Sequence, residues 1–531
     1  MMSAAENFRG GALTRFLRDY RTSARAAMVL RLASMVVGGF ASLAFTRLLL
    51  HSMGSSMYGA FLSFSALTRL GGLGDLGIGS GLATRANIML GRKEDPALEG
   101  MLSSARGLFL LVGAAMLIVF LLLSPAAPHW LGFTRDAVGG SPVLLFAVGS
   151  LACSVFVVAG YFHALNFACG TVTWPILPTL LTGQLLAPAL HLVLAAQKFP
   201  LWVQCLPYAA ATLLSGILAW IMLRMANPSL AKIFPISAKP QVWKNLGATS
   251  VWSFLTTLGT FIFLLTDRLI INLFFGSSAV PAYVLNYKLC ELAITVLTTA
   301  SFVSLPKITL WINSTEAADR ARGAEGLRRL SLYQTTAGVA VGLTYLLVNN
   351  AFIDFWVGEA YRAPIFIQIL FAAILVVYAG GDAAAMVASR CGNHGVRITG
   401  TAAAVCGVAN LGLSLAAAAA GSIAGIAAAS LLAQSALAIW MGSTVCRYLS
   451  IEAWRYTARC WVLPLAVISC AGALRFFFTI STALEFLALA VLYVCLFALF
   501  CRLAGLRARM IAEELQTSFD AFRKSLSPTS N

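Results

Sequence analysis

Residues 69–85 read RLGGLGDLGIGSGLATR, from Arg69 to Arg85, and two incompatible folds lay claim to them. Gly72, Gly74 and Gly77 are spaced as G-x-G-x-x-G, with Glu94 and Asp95 about twenty residues on, the pattern of a dinucleotide-binding turn. Such a turn works only after a β-strand and before a helix, inside a soluble βαβ unit. The residues before Gly71 read YGAFLSFSALTRL, the first half of a membrane span. Glycines at 71, 72, 74, 77, 79 and 81 each weaken a helix by about 1 kcal/mol relative to alanine. Irregular backbone at membrane depth persists only where it packs in protein or lines a wet cavity. The stretch therefore reads as a thinned or broken transmembrane span near the cytoplasmic side, and no cofactor is expected on it.

The rest of the chain supports that choice. Of its 531 residues 59% are hydrophobic and only 11% charged, with a mean hydropathy of +0.84. A soluble domain carries about a quarter charged residues to face water, so most of this surface must face lipid. The expected fold class is an all-α polytopic membrane protein. About fourteen apolar runs have the length of a bilayer-crossing helix of about 20 residues. The first six are Ala27–Leu50, Tyr58–Gly79, Gly107–Ser124, Pro142–Asn166, Trp174–Ala196 and Val203–Met225. Then come Thr249–Phe275, Ala282–Leu305, Ser331–Asn349, Pro364–Ala388, Ile398–Ala420, Ile423–Val445, Trp461–Phe478 and Ala483–Leu503. The short alternating segments of a membrane β-barrel do not occur.

A formal charge of +17 would point to nucleic acid in a soluble protein, but here its distribution points elsewhere. About 27 Lys and Arg crowd into alternate connections and about 4, namely Arg135, Lys198, Arg362 and Arg475, occupy the others, which places both termini in the cytoplasm. An even span count agrees. No cleavable signal peptide is expected, because the first span is full length and carries Arg31. The eleven cysteines are scattered without a C-x-x-C pair, and the five histidines lack metal-site spacing, so neither disulfides nor a metal are expected.

Charges inside the spans carry the chemistry. Arg69 lies about eleven residues into the second span, close to the midplane. An arginine there costs about 2.5–3.5 kcal/mol, so it faces protein interior or a water-filled cavity. Asp75 is six residues on, the wrong helical face for a simple pair unless the chain breaks at Gly71-Gly72. Arg31 and Arg47 lie near opposite ends of span one, where snorkelling is an alternative to cavity lining. Asp267-Arg268 lies near the outer end of span seven, and Lys288 and Glu291 are spaced to pair on span eight. Asp382, after Gly380-Gly381, has no partner nearby in sequence. The candidate substrate-binding residues are Arg69, Arg31, Arg47, Arg268 and Lys288. The candidate ion-coupling residues are the acids Asp75 and Asp382.

Two stretches repeat. TRLLLHSMGSSMYG closes span one and opens span two, and DRLIINLFFGSSAVPAY does the same for spans seven and eight. Both have Arg-Leu, an apolar run, Gly-Ser-Ser and a Tyr, as expected of a six-span duplication in parallel orientation. With DLGIGSGLATR from Asp75 to Arg85, DRLIINLFFGSSAVPAYVLNYKL from Asp267 to Leu289, Ser304-Leu305-Pro306 and FWVGEAY from Phe355 to Tyr361, the chain resembles the polysaccharide-exporter branch of the MOP superfamily, the Wzx-type flippases of lipid-linked oligosaccharides. Most members have twelve spans, and the two extra C-terminal spans look like the fourteen-span variants.

That resemblance implies two six-helix bundles around a central cavity plus two C-terminal helices. The expected division is a cytoplasmic amphipathic N-terminus over 1–26, lobes over 27–225 and 249–445, and a basic linker over 226–248. Two additional spans follow over 446–504, and an amphipathic cytoplasmic tail over 505–531. It implies an undecaprenyl-pyrophosphate-linked oligosaccharide moved to the outer leaflet of a bacterial inner membrane, with membrane lipids, a polysaccharide polymerase and assembly proteins as partners. Basic side chains suit such a substrate, since guanidinium binds phosphate oxygens bidentately. A peptidoglycan-precursor flippase or a cation-coupled multidrug exporter of the same superfamily are the alternatives. A membrane polymerase is disfavoured, because no outer loop is long and no acid–base constellation occurs in the cytoplasmic loops.

Overall fold

The computed structural model describes residues 24–70, 77–79, 82–83, 86, 89, 95–168, 179–228, 230–314, 316–478 and 482–505. Among these there is no strand. The long helices are α1 (Ala24–Leu70), α2 (Asp95–Leu123), α3 (Pro142–Ala168), α4 (Ala187–Ala196, entered through π-helical turns at Thr179–Leu186) and α5 (Leu201–Ala226). They continue with α6 (Pro240–Phe275), α7 (Val280–Ile312), α8 (Ala317–Trp356), α9 (Ile365–Ala388), α10 (Gly392–Ala419), α11 (Ile423–Tyr448), α12 (Leu463–Phe477) and α13 (Ala483–Leu503). The amphipathic ends expected over 1–26 and 505–531 lie almost wholly outside the described residues, as do Asp75 and the side chain of Arg31.

Among the described residues twelve helices are long and apolar enough to cross a membrane, and a thirteenth span is the pair Phe254–Phe263 and Leu265–Phe275, bent by 45°. The expected fourteenth is hidden in α1. Its 47 residues would make a rod of about 70 Å, more than twice the bilayer core. The helix is interrupted at Gly54, with φ 75 and ψ 169, a region open essentially to glycine alone. The Tyr58 hydroxyl donates to Thr46 Oγ1 at 3.3 Å. Twelve residues of straight helix would hold these groups about 18 Å apart, so the chain folds back at Gly54. Counted as two arms, α1 supplies the first and second spans.

Hydropathy found apolar runs rather than helix ends. The segment from Lys307 to Arg329, expected as a loop, is largely helix, with α7 reaching Ile312 and α8 starting at Ala317. Its solvated turns are laced by Glu325, which accepts from Arg328 and Arg329 three and four residues on, the spacing that pairs charges along one helix face.

The chain forms two compact units, Met1–Val284 with Gly400–Ile426, and Leu285–Thr399 with Ala427–Asn531. The first buries a cluster around Leu102, Phe109, Val157, Tyr161, Leu165 and Leu223 and another around Phe64, Phe133, Phe146 and Leu201. In the second, α9 is apolar on every side, and 78% of its most apolar window is buried. A helix of that kind is a core element rather than a lipid-facing one. Tyr456, Cys460 and Trp461 pack against its Val377 and Ala384.

Candidate functional site

The repeat seen in the sequence is a repeat of geometry. Gly276 has φ 83 and ψ 163, close to the values at Gly54, and both precede a Ser-Ser pair. Past each glycine a tyrosine reaches back to the residue before the arginine. Tyr58 does so to Thr46, and the Tyr283 hydroxyl donates to Asp267 Oδ2 at 2.7 Å. The corners also touch. A Cβ added at Gly59 would lie 1.7 Å from the Ser277 carbonyl oxygen, and Ser63 Oγ donates to the Arg268 carbonyl at 3.2 Å. The two corners differ in where their arginine goes. Arg47 is exposed, whereas Arg268 is buried at 7% exposure beside the equally buried Asp267.

Arg69 is the penultimate residue of α1 and its side chain is exposed. Measured from Gly54 it stands about 22 Å along the helix, past the middle of a core about 30 Å thick. The Tyr208 hydroxyl of α5 belongs to a buried polar chain. His191 Nδ1 lies 3.1 Å from that hydroxyl and His191 Nε2 lies 3.0 Å from Gln204 Oε1. Gln204 Nε2 donates to the Phe199 carbonyl, which fixes the amide. Its Oε1 then accepts from His191 Nε2–H, leaving neutral Nδ1 to accept from Tyr208. Hydropathy gives no warning of this chain, because single polar residues on spans five and six do not lower the average.

In the second unit Asp382 is buried at 8% exposure. Gln334 Nε2 donates to its Oδ2 at 3.1 Å and approaches Ser301 Oγ at 2.7 Å and the Leu297 carbonyl at 2.9 Å. Ser301 also hydrogen-bonds the carboxylate. The acid without a sequence neighbour thus has partners from α7 and α8. Lys288 Nζ pairs with Glu291 Oε2 at 3.0 Å, both half-buried, as the three-residue spacing allowed.

The structure therefore places Arg47, Arg69 and Arg268 in the first unit, and Lys288 and Asp382 in the second. A pairing of Arg69 with Asp75 falls outside the described residues. Among the described residues no group of three or more His, Cys, Asp or Glu side chains is arranged to hold a metal ion.

The arrangement is that of a multi-pass, all-α membrane protein. Among solved structures the chain is similar to the lipid II flippase MurJ in an inward closed conformation, at 13% identity and a TM-score of 0.58, over 90% of this chain and 98% of that one. It is also similar to a Vibrio cholerae MATE transporter in a bent form, at 13% identity and a TM-score of 0.53, over 82% and 99%. An inward-facing multidrug resistance MATE transporter of the MOP superfamily matches at 12% identity and a TM-score of 0.52, over 80% and 99%. No family model matches the chain, and no curated protein matches it in sequence. These likenesses establish the fold, one shared by flippases and exporters.

Proposed function

We propose that the chain is a flippase for an undecaprenyl-pyrophosphate-linked oligosaccharide, moving it from the cytoplasmic to the outer leaflet of a bacterial inner membrane by alternating access, for surface polysaccharide biosynthesis. The observation that carries the flippase reading is coverage. The MurJ likeness spans 90% of the chain and the MATE likenesses 80–82%, a gap of about 40 to 50 residues, which is about two spans' worth. The charge balance agrees, since a cation exporter needs acids in its path and this chain offers five basic candidates there. The sequence motifs favour the oligosaccharide branch. The MurJ likeness favours a second reading, flipping of the peptidoglycan lipid precursor.

In this reading both termini are cytoplasmic, with six-helix lobes over 27–225 and 249–445, the linker over 226–248 and two further spans over 446–504. Arg69, beyond the midplane toward the cytoplasm, receives the pyrophosphate, and Arg31, Arg47, Arg268 and Lys288 offer further positive charge along the path. Guanidinium and phosphate in a low-dielectric site offset each other's desolvation. An inside-negative potential assists outward movement by about 2.3 kcal/mol per negative charge per 100 mV. Asp382, and Asp75 with it, are the acids through which an ion gradient would reset the cycle.

The test is translocation in proteoliposomes of two substrates, a lipid-linked oligosaccharide and lipid II, by the parent protein, Arg69→Ala and Arg69→Lys. The expected result is flipping of the oligosaccharide by the parent and loss in both variants at equal expression. Preference for lipid II selects the second reading. Export of an organic cation with no lipid flipping overturns both.

A further inference from the structure

Between α5 and α6 the chain does not loop freely. Residues 232–239 run as an irregular strap along the start of α2. Arg106, itself buried, donates through Nη1 to the Lys232 carbonyl at 2.6 Å and through Nε to the Leu102 carbonyl at 3.2 Å. The Ser237 amide donates to the Ser103 carbonyl at 3.1 Å, and the two serine hydroxyls lie 2.8 Å apart. The Lys239 amide donates to Ser104 Oγ at 3.1 Å, and Trp243 Nε1 donates to the Ser104 carbonyl at 2.9 Å. Contact is close enough that a Cβ at Gly107 would lie 2.5 Å from the Ser237 carbonyl oxygen.

This pinning uses the polar groups of the strap on the side facing α2. Its apolar side chains stay largely uncovered, although Ile236 Cγ2 also comes within 3.5 Å of a Cβ built at Gly107. Phe234 is 71% exposed, Ile233 47% and Ile236 44%. Exposed apolar side chains on a segment pinned at Lys232, Ser237 and Lys239 form a surface that is stabilised by being covered. The level of the strap says by what. It lies against Ser103–Gly107, where the polar start of α2 gives way to the apolar run beginning at Leu108, the depth of the headgroup and upper acyl region. Exposed basic residues flank the apolar three: Lys232 and Lys239 on the strap, Arg224 before it and Lys244 after it. Against them stands Glu99, which Lys232 meets at 2.8 Å. Glu94 and Asp95 are offset in the sequence by Arg92 and Lys93.

We propose that the strap is an interfacial anchor, with Ile233, Phe234 and Ile236 inserted at the headgroup–acyl boundary of the cytoplasmic leaflet and the flanking basic residues bound to anionic lipid headgroups. The assignment of leaflet rests on the orientation given under the proposed function. Each basic residue near an anionic surface contributes about fivefold to such binding. The strap thereby ties α2, α5 and the start of α6 to the lipid composition of one leaflet.

The test uses the full-length protein with an environment-sensitive fluorescent amino acid at position 234, in vesicles of phosphatidylcholine alone or with phosphatidylglycerol. Quenching is read from lipids brominated on the upper acyl chain and from aqueous iodide. Position 238 on the same strap, where Ala238 is exposed and small, is the control. The expected result is strong bromolipid quenching and weak iodide quenching at 234, the reverse at 238, and deeper burial when phosphatidylglycerol is present. Lys239→Glu with Lys244→Glu should abolish that lipid dependence while monodispersity and helix content stay unchanged. Full iodide quenching at 234 without bromolipid quenching overturns the anchor. Equal burial in both lipids overturns the anionic-headgroup assignment. Symmetric vesicles make these outcomes independent of orientation, which is checked separately by labelling positions 234 and 362 in intact cells.

Discussion

Gly59→Ala is a small change with a large expected effect. The added methyl would sit 1.7 Å from the Ser277 carbonyl oxygen, 2.7 Å from its carbonyl carbon and 3.0 Å from Pro281 Cδ. Relief to ordinary contact near 3.4 Å requires the two corners to part by about 1.7 Å. The obstacle is backbone at the start of a helix, so no side-chain rotation can give way. Overpacking of that kind costs about 1–3 kcal/mol, which corresponds to about a five- to 150-fold change in the population of states with the corners in contact. Under the proposed orientation these corners lie at the outer end of the spans, where an alternating-access cycle must close before substrate loads from inside. Gly59→Ala is therefore expected to slow translocation in proteoliposomes by a factor in that range, with normal insertion and helix content. Gly54→Ala is the comparison. It has nothing within 4 Å of the added atom but a backbone at φ +75, so its cost falls on stability at the turn rather than on the contact. A Gly59→Ala protein with parental rate and parental thermal midpoint would refute the contact and the reasoning built on it.

Three further outcomes follow from the same geometry. Tyr283→Phe leaves the buried Asp267 carboxylate one donor short and should lower stability by about 1–3 kcal/mol, whereas Tyr58→Phe, losing a longer neutral bond, should cost about 1 kcal/mol or less. Thermal unfolding of the purified variants compares them. Asp382→Asn keeps the shape of the side chain and can still accept from Gln334, so the protein should fold; translocation should lose its response to an imposed proton or sodium gradient, and an unchanged response would remove Asp382 from coupling. Gln204→Leu takes the acceptor from His191 Nε2–H and leaves a buried donor unsatisfied, which should lower the unfolding midpoint, while Gln204→Glu should recover part of the loss.

How much of this the sequence could show depends on the range of each interaction. Span positions were legible because a bilayer-crossing helix announces itself over twenty consecutive residues. The Lys288–Glu291 pair was legible because three residues of helix bring the groups together. Asp382 was visible as a lone acid, but its partners Ser301 and Gln334 lie on other helices, and only packing reveals them. Arg106 gives no signal in the sequence because it sits at the edge of an apolar run, where a basic residue usually faces the headgroups. Its burial depends on the Lys232 carbonyl, 126 residues away. The join between spans one and two was blurred for the opposite reason: one glycine conformation, with no polar loop, makes the turn.

The two Gly-Ser-Ser corners keep one backbone solution and spend it on different chemistry. Both fold back at a glycine with nearly the same φ and ψ, and both fasten the return with a tyrosine hydroxyl. The first corner binds that hydroxyl to a neutral threonine and turns its arginine outward. The second binds it to a carboxylate and buries the arginine alongside. An ion buried in this way is costly to leave without compensation, so removing the charge of Arg268 would disturb a buried site. Arg47 and Arg69 carry exposed guanidinium groups instead. The asymmetry ranks the basic candidates: a phosphate should meet the arginines of the first repeat, and neutralising Arg268 should act through stability before it acts on transport. A loss of translocation in Arg268→Gln with an unchanged unfolding midpoint would reverse that ranking.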